Sequence, residues 1–167
     1  QPPLRAVGQG AGGIVRAAPV GGITRFDPEL DTLLDANSPI EVVATGYRWA
    51  EGPVWVRRGG FLLFSDVPAN VVHRWTPAGA RPFLDPSGLS GPVPAGVREA
   101  GANGLAIDAA GALVLADSGT RAITRVDLAT RRRTILADRF EGRRFNSCND
   151  LAITRTGAIW FTDPPYG

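Results

Sequence analysis

Along residues 49–167 short apolar runs alternate with Gly-bearing turns, and three stretches repeat one pattern. They are AEGPVWVRRGGFLLFSD (residues 50–66), ANGLAIDAAGALVLAD (102–117) and CNDLAITRTGAIWFTD (148–163). Each has a polar residue, an apolar run, a turn with Gly, and a second apolar run ending in Asp. The aligned polar positions are Glu51, Asn103 and Asn149, spaced 52 and 46 residues apart. The terminal aspartates, Asp66, Asp117 and Asp163, are spaced 51 and 46, and one extra residue in the first turn accounts for the mismatch. Runs of this length bounded by turn residues predict strands.

A further strand pair follows each of the first two stretches. Residues 71–75 turn through Pro77-Ala78-Gly79 into residues 81–84, and residues 122–126 turn near Thr130 into residues 133–136. Four short strands per 46 to 52 residues predict an all-β β-propeller. A plain antiparallel sandwich would not require three units that align. The blades are expected at about 47–90, 98–140 and from 145 to 167 onward, within one propeller domain that starts at residue 26. Residues 1–25 are expected to form a flexible tail, since the first 22 are rich in Gly, Pro and Ala with no sustained period. DPELDTLLD (27–35) predicts one short helix with Asp27 as N-cap and Pro28 in the first turn. IEVVAT (40–45) reads as a strand.

In a propeller the innermost strand of each blade lines the central channel. Glu51, Asn103 and Asn149 each start an innermost strand, so they should converge at one mouth of that channel. The three aspartates, returning on the antiparallel partner, should form an outer ring on the same face. This bears on WAEGPVW (49–55), where one acid stands in an otherwise apolar strand start. An unpaired buried carboxylate is costly, so Glu51 is exposed, paired with a cation such as Arg48, or bound to a metal. Oxygens converging on an axis are what a hard cation such as Ca2+ requires. Zn2+ prefers His and Cys.

Composition narrows the alternatives. The 167 residues suffice for a domain with a real core, and the hydrophobic fraction is 44%. Apolar runs fall well short of the ~18 residues that a membrane-spanning helix needs. All 18 basic residues are Arg, and the net charge is only +2. Arg131-Arg132-Arg133 has no aromatic stacking platform beside it, so it reads as a solvated hairpin tip rather than a nucleic-acid patch. Cys148 is the one cysteine, which excludes an intrachain disulfide. His73, the one histidine, falls mid-strand away from the mouth, which excludes a Ser-His-Asp triad within this chain. Trp49 and Trp55 are expected in the core. The chain starts Gln1-Pro2-Pro3 without Met, as a processed or trimmed product would. A removed signal peptide favours a periplasmic or secreted location over a cytoplasmic one.

WAEGPVW, FSDVPANVVHRW, NGLAID, FNSCNDL and FTDPPYG occur here in order. Together they resemble the gluconolactonase and senescence-marker-protein-30 family, from about residue 26 to the end. The resemblance implies a six-bladed propeller with a divalent metal on its axis, of which this chain supplies about three blades and a closing strand, 40–45. It implies hydrolysis of sugar lactones; paraoxonases and a diisopropylfluorophosphatase are more distant relatives. By position, Glu51 matches the family's first metal ligand, Asn149 an asparagine facing metal and substrate, and Asp150 an adjacent acid. Asn103 is expected to line the channel and contact substrate. Arg144 is a candidate for a sugar hydroxyl or carboxylate product, and Asp163 for orienting ligands from behind. Two departures stand out. Cys148 replaces the usual Pro, as a reactive thiol or a small apolar filler. The family also needs about 300 residues, with a further Asn and Asp ligand from later blades.

The resemblance implies a metal that polarises the lactone carbonyl and activates water, with Asp150 the nameable base. Ca2+ is the first choice, with Zn2+, Mg2+ or Mn2+ as alternatives. The partners expected are a small lactone and the remaining blades, with neither nucleic acid nor membrane. Two other readings stay open: a propeller hydrolase of other esters or phosphotriesters, and a non-catalytic propeller that binds a ligand or protein.

Overall fold

A computed structural model describes residues 19–166. The chain divides into two compact units, residues 1–45 and 46–167. In the first, the predicted helix is a single 3-10 turn, Pro28–Thr32, with Asp27 accepting the Glu29 N–H at 2.8 Å as its cap. It stays short because its apolar residues find no core: Leu33 and Leu34 are exposed. The expected tail falls mostly on residues 1–18, outside the described residues. Residues 40–45 carry no ladder, contrary to the predicted strand, and the Val20 N–H donates to the Ile40 carbonyl at 2.9 Å. An extended segment becomes a strand only when a run of backbone bonds pairs it with a neighbour, and no such run forms at 40–45 among the described residues.

The second unit is built of antiparallel meanders. Strands β1 (Ala50–Val56), β2 (Phe61–Asp66), β3 (Val71–Thr76) and β4 (Gly79–Leu84) form a four-stranded sheet in chain order. Strands β5 (Ala102–Ile107), β6 (Leu113–Asp117), β7 (Ala122–Val126) and β8 (Arg133–Ala137) repeat it. A two-residue hairpin follows, β9 (Arg139–Phe140) with β10 (Arg143–Arg144), and then the pair β11 (Leu151–Ile153) and β12 (Ile159–Phe161). The innermost strands β1, β5 and β11 are neighbours in turn. That is propeller architecture, and the chain carries two four-stranded blades and the inner pair of a third.

Each interface between sheets has its own apolar cluster. Leu63, Val72, Leu113, Leu115 and Val126 are fully buried between the first two sheets. Val114, Ala116, Ile123 and Cys148 are buried between the second and third, with Leu151, Ile159 and Phe161 packed against them. Burial of each such Leu, Ile or Val contributes about 1.5–3 kcal/mol, so it is the stacking of blades that stabilises the meanders. Trp49 and Trp55 are not core: they are 48% and 50% exposed. Along β1, Val56 takes the buried position and Trp55 points to the opposite side of the pleat.

Candidate metal and substrate site

The start of each inner strand is shaped by glycine. Gly52 sits at φ 58°, in a bulge where the β1–β2 register shifts between Glu51 and Val54. A Cβ there would collide with the Asn103 carbonyl oxygen of the next blade. Gly104 occupies the equivalent step of β5, beside a register shift between Ala102 and Leu105. Its Cβ would lie 2.8 Å from the Asp150 Cα and 2.9 Å from the Asn149 oxygen, and its N–H donates to that oxygen at 2.7 Å. The two glycines let consecutive inner strands approach until the residues before them, Glu51 and Asn103, face one space. The third repeat breaks the pattern, with Asp150 where the others have Gly.

That space is a cavity of ≈ 320 Å³ lined by Glu51, Asn103, Asn149 and Asp150, among others. The three predicted ring residues therefore meet, and Asp150 joins them. Asn103 Nδ2 donates to Asn149 Oδ1 at 3.0 Å and reaches Glu99 Oε2 at 3.5 Å. Glu51 Oε2 is buried and has no hydrogen-bond partner. Burial pushes the Glu51 carboxyl above its ordinary value, the charges of Glu99 and Asp150 push it further, and the Asn103 amide opposes them. An acid that is desolvated, crowded by two other acids and left with an orphaned oxygen is suited to hold a cation.

The donor chemistry fits a hard cation: a carboxylate oxygen from Glu51 and an amide oxygen from Asn149, with the Asp150 carboxylate close by. Among the described residues no three His, Cys, Asp or Glu side chains group as a metal set, so any site here depends on the asparagine.

Arg144 and Asp163 lie elsewhere. The Arg144 guanidinium is exposed and donates to the Thr120 carbonyl at 2.6 Å, outside the cavity lining. It joins the hairpin to the second blade. Both Asp163 carboxylate oxygens accept the Asn146 N–H at 2.9 Å. Asp66 does the same two repeats earlier, accepting the N–H groups of Arg48 and Trp49 at 3.0 and 3.1 Å. These aspartates tie down the entry to the inner strand two to three residues before Glu51 and Asn149, and so act on the site through the backbone. Asp117 departs from them: it accepts the Thr120 N–H at 3.0 Å and faces Arg133 Nη1 at 3.9 Å. His73 lies against Tyr47 and Phe64 in the first blade, and burial lowers its pKa.

Cys148 is fully buried, and burial, with Asp163 and Asp117 nearby, pushes its thiol up to about 12. It aligns with Ala50 and Ala102 and acts as a small apolar filler, not a nucleophile.

Glu99 is the residue that the repeat reading missed. It is 2% exposed and stands behind Asn103. A signal existed in the repeat: four residues before each ring position stand Tyr47, Glu99 and Phe145. A carboxylate where two repeats place an aromatic marks the odd member.

Residues 49–167 match the model of the SMP-30/gluconolactonase/LRE-like region. The chain is 52% identical over 161 residues to a gluconolactonase of Zymomonas mobilis, covering 95% of this chain and 45% of that protein. A solved gluconolactonase structure from Xanthomonas campestris superposes with a TM-score of 0.71 at 31% identity, covering 90% of this chain and 48% of that one. A virginiamycin B lyase from Staphylococcus aureus, at TM-score 0.52 and 14% identity, shares the fold alone. The chain thus spans under half the length of these relatives.

Proposed function

This chain belongs to the SMP-30/gluconolactonase/LRE-like family, and on that footing we propose that it forms part of a divalent-cation-dependent lactonase. The observation that carries the cation is the orphaned, buried Glu51 Oε2 beside Asn149 and Asp150. The relatives' names carry the lactone.

Glu51 and Asn149 would hold the cation, with Ca2+ the first choice for an all-oxygen set. Such an ion supplies Lewis acidity, polarising a carbonyl and making water easier to deprotonate. The chain's own residues do the rest. Asn103 spends one N–H on Asn149 Oδ1, which fixes that amide's orientation and leaves its second lone pair for the cavity. Glu99 holds the other N–H of Asn103. Asp150, at the cavity wall, is the nearby carboxylate placed to accept a proton from attacking water. The remaining blades would complete the ligand set. Trp160 on β12, 72% exposed, is one apolar surface that they would cover.

The test is acid release from D-glucono-1,5-lactone by the protein at the length of its relatives, with added Ca2+ and with EDTA. Cation-dependent acid release is expected. Turnover unaffected by EDTA would remove the cation from the reading, and no turnover with Ca2+ would remove the lactone.

A further inference from the structure

A second cavity lies at the other end of the inner strands. It measures ≈ 940 Å³ and runs between the first two blades, from Trp55 and Val56 at the end of β1 to the β7–β8 turn. Val56 is five residues beyond Glu51 along β1, roughly 17 Å at ~3.3 Å per residue, so this cleft is remote from the candidate metal site. Five arginines line it: Arg57, Arg58, Arg74, Arg125 and Arg131. Two carboxylates accompany them, and both are already engaged. Asp108 accepts Arg125 Nε at 2.6 Å and the N–H groups of Ala110 and Ala112, each at 2.9 Å. Asp127 accepts the N–H groups of Ala129 and Thr130 and the Thr130 hydroxyl, at 2.7–3.0 Å. Among the described residues no carboxylate stands within ion-pair distance of Arg57, Arg58, Arg74 or Arg131.

Two of these arginines are set in place by aromatic rings. The Arg74 guanidinium carbon lies 4.2 Å from the Phe61 ring centre, and that of Arg131 lies 3.6 Å from the Phe83 ring centre. The two rings are themselves 6.4 Å apart. A ring covers one face of each guanidinium and leaves the N–H edge free to donate. Arg131 is held there at a backbone φ of 63°, a left-handed conformation that a residue with a Cβ adopts at a cost. Its N–H is tied to the Asp127 carbonyl at 2.9 Å. Partial burial lowers the Arg131 pKa and the charge of Arg74 lowers it further, while the charge of Asp127 opposes them. Two planar cations thus face one another across a concave space in which both carboxylates are engaged elsewhere, and among the described residues no hydrogen bond takes up their donor edges.

We propose that this cleft is a binding site for a phosphate-class oxyanion, either free phosphate or the phosphate of a small phosphomonoester. Guanidinium forks match its tetrahedral oxygens, and a dianion between Arg74 and Arg131 would relieve their repulsion. The shape favours a small ligand over a polynucleotide, because the Phe61 and Phe83 faces that bases would stack on are covered by arginine.

The test is calorimetric titration of the protein at the length of its relatives with inorganic phosphate, against chloride at equal ionic strength. A small phosphomonoester is titrated in parallel to separate the two sources: a tighter constant assigns the site to the ester, and an equal one to free phosphate. Arg74→Gln with Arg131→Gln is expected to weaken phosphate binding about 10-fold or more. Arg155→Gln, in a turn of the third blade, should leave it unchanged. Where the first pair lowers the melting temperature, Arg57→Gln with Arg58→Gln in the exposed β1–β2 turn carries the test, with a loss of about 10-fold again expected. The proposal is overturned if phosphate gives no heat beyond chloride, if neither pair weakens it, if Arg155→Gln weakens it equally, or if an oligonucleotide binds and phosphate does not.

Discussion

The two ends of the inner strands treat their acids in opposite ways. At the mouth, burial pushes the carboxyls of Glu51 and Asp117 above their ordinary values. At the far end Asp108 and Asp127 are held below theirs. Burial opposes this at Asp108, but Arg125 and two backbone N–H groups outweigh it, while the Thr130 N–H and hydroxyl act on Asp127. The far acids are satisfied and leave unpaired arginines behind. At the mouth Glu51 is crowded by Glu99 and Asp150 and keeps one oxygen without a hydrogen-bond partner. One end of the same strands is therefore proposed to take a cation and the other an anion. A carboxylate's role follows from its partners more than from its place in a repeat.

The strongest way to break this contrast is to push the blades apart at the mouth. Gly52→Ala should cost about 3 kcal/mol or more, from its left-handed φ and the clash with the Asn103 carbonyl. Urea unfolding measures it, and a loss below about 1 kcal/mol would deny the close approach. Next comes the acid itself. Glu51→Gln should weaken Ca2+ binding by more than ~100-fold in calorimetric titration. The same variant should be no less stable than the parent without metal at neutral pH, because a carboxyl whose folded pKa is raised costs stability once it is ionised. A marked loss there would mean that Glu51 is paired rather than waiting for a partner.

A smaller effect is expected behind the site. Glu99→Ala should weaken Ca2+ binding ~10-fold, by freeing Asn103 to turn away from Asn149. Glu99→Gln, which still accepts a hydrogen bond, should recover part of it. Equal losses in both would point to the charge of Glu99 instead. The smallest effects sharpen the contrast by sign. Asp108, held low, contributes stability above the ordinary aspartate value that is lost as pH falls through its depressed pKa. Asp117, pushed up, costs stability above its raised pKa and is relieved as pH falls through it. Asp108→Asn should therefore flatten the acid limb of a pH–stability curve and Asp117→Asn should steepen it, as urea midpoints across that range would show.

Much of this was legible in the repeat. The 46-residue spacing alone brings Asn103 and Asn149 to one cavity, where they are hydrogen-bonded. Alternating apolar runs placed the strands because each blade buries them against the next. Legibility ended where residues act outside the repeat's own logic. Glu99 lies in the connection between blades, and only its burial gives it a role. Asp66 and Asp163 look like ring members, yet their carboxylates turn to backbone N–H groups, which periodicity cannot distinguish from a ligand. Arg131 looked like a solvated tip, because the Phe83 ring that it covers lies in another blade. The closing strand forms no ladder among the described residues, and the helix finds no core to lie on.

The bond from the Gly104 N–H to the Asn149 carbonyl has a consequence of its own. It crosses from the second blade to the third, at the step where the candidate ligands meet. Its proton can exchange with solvent only when those blades part. The exchange rate of that one amide therefore clocks how often the cavity comes open, and a cation bridging Glu51 and Asn149 would slow the clock.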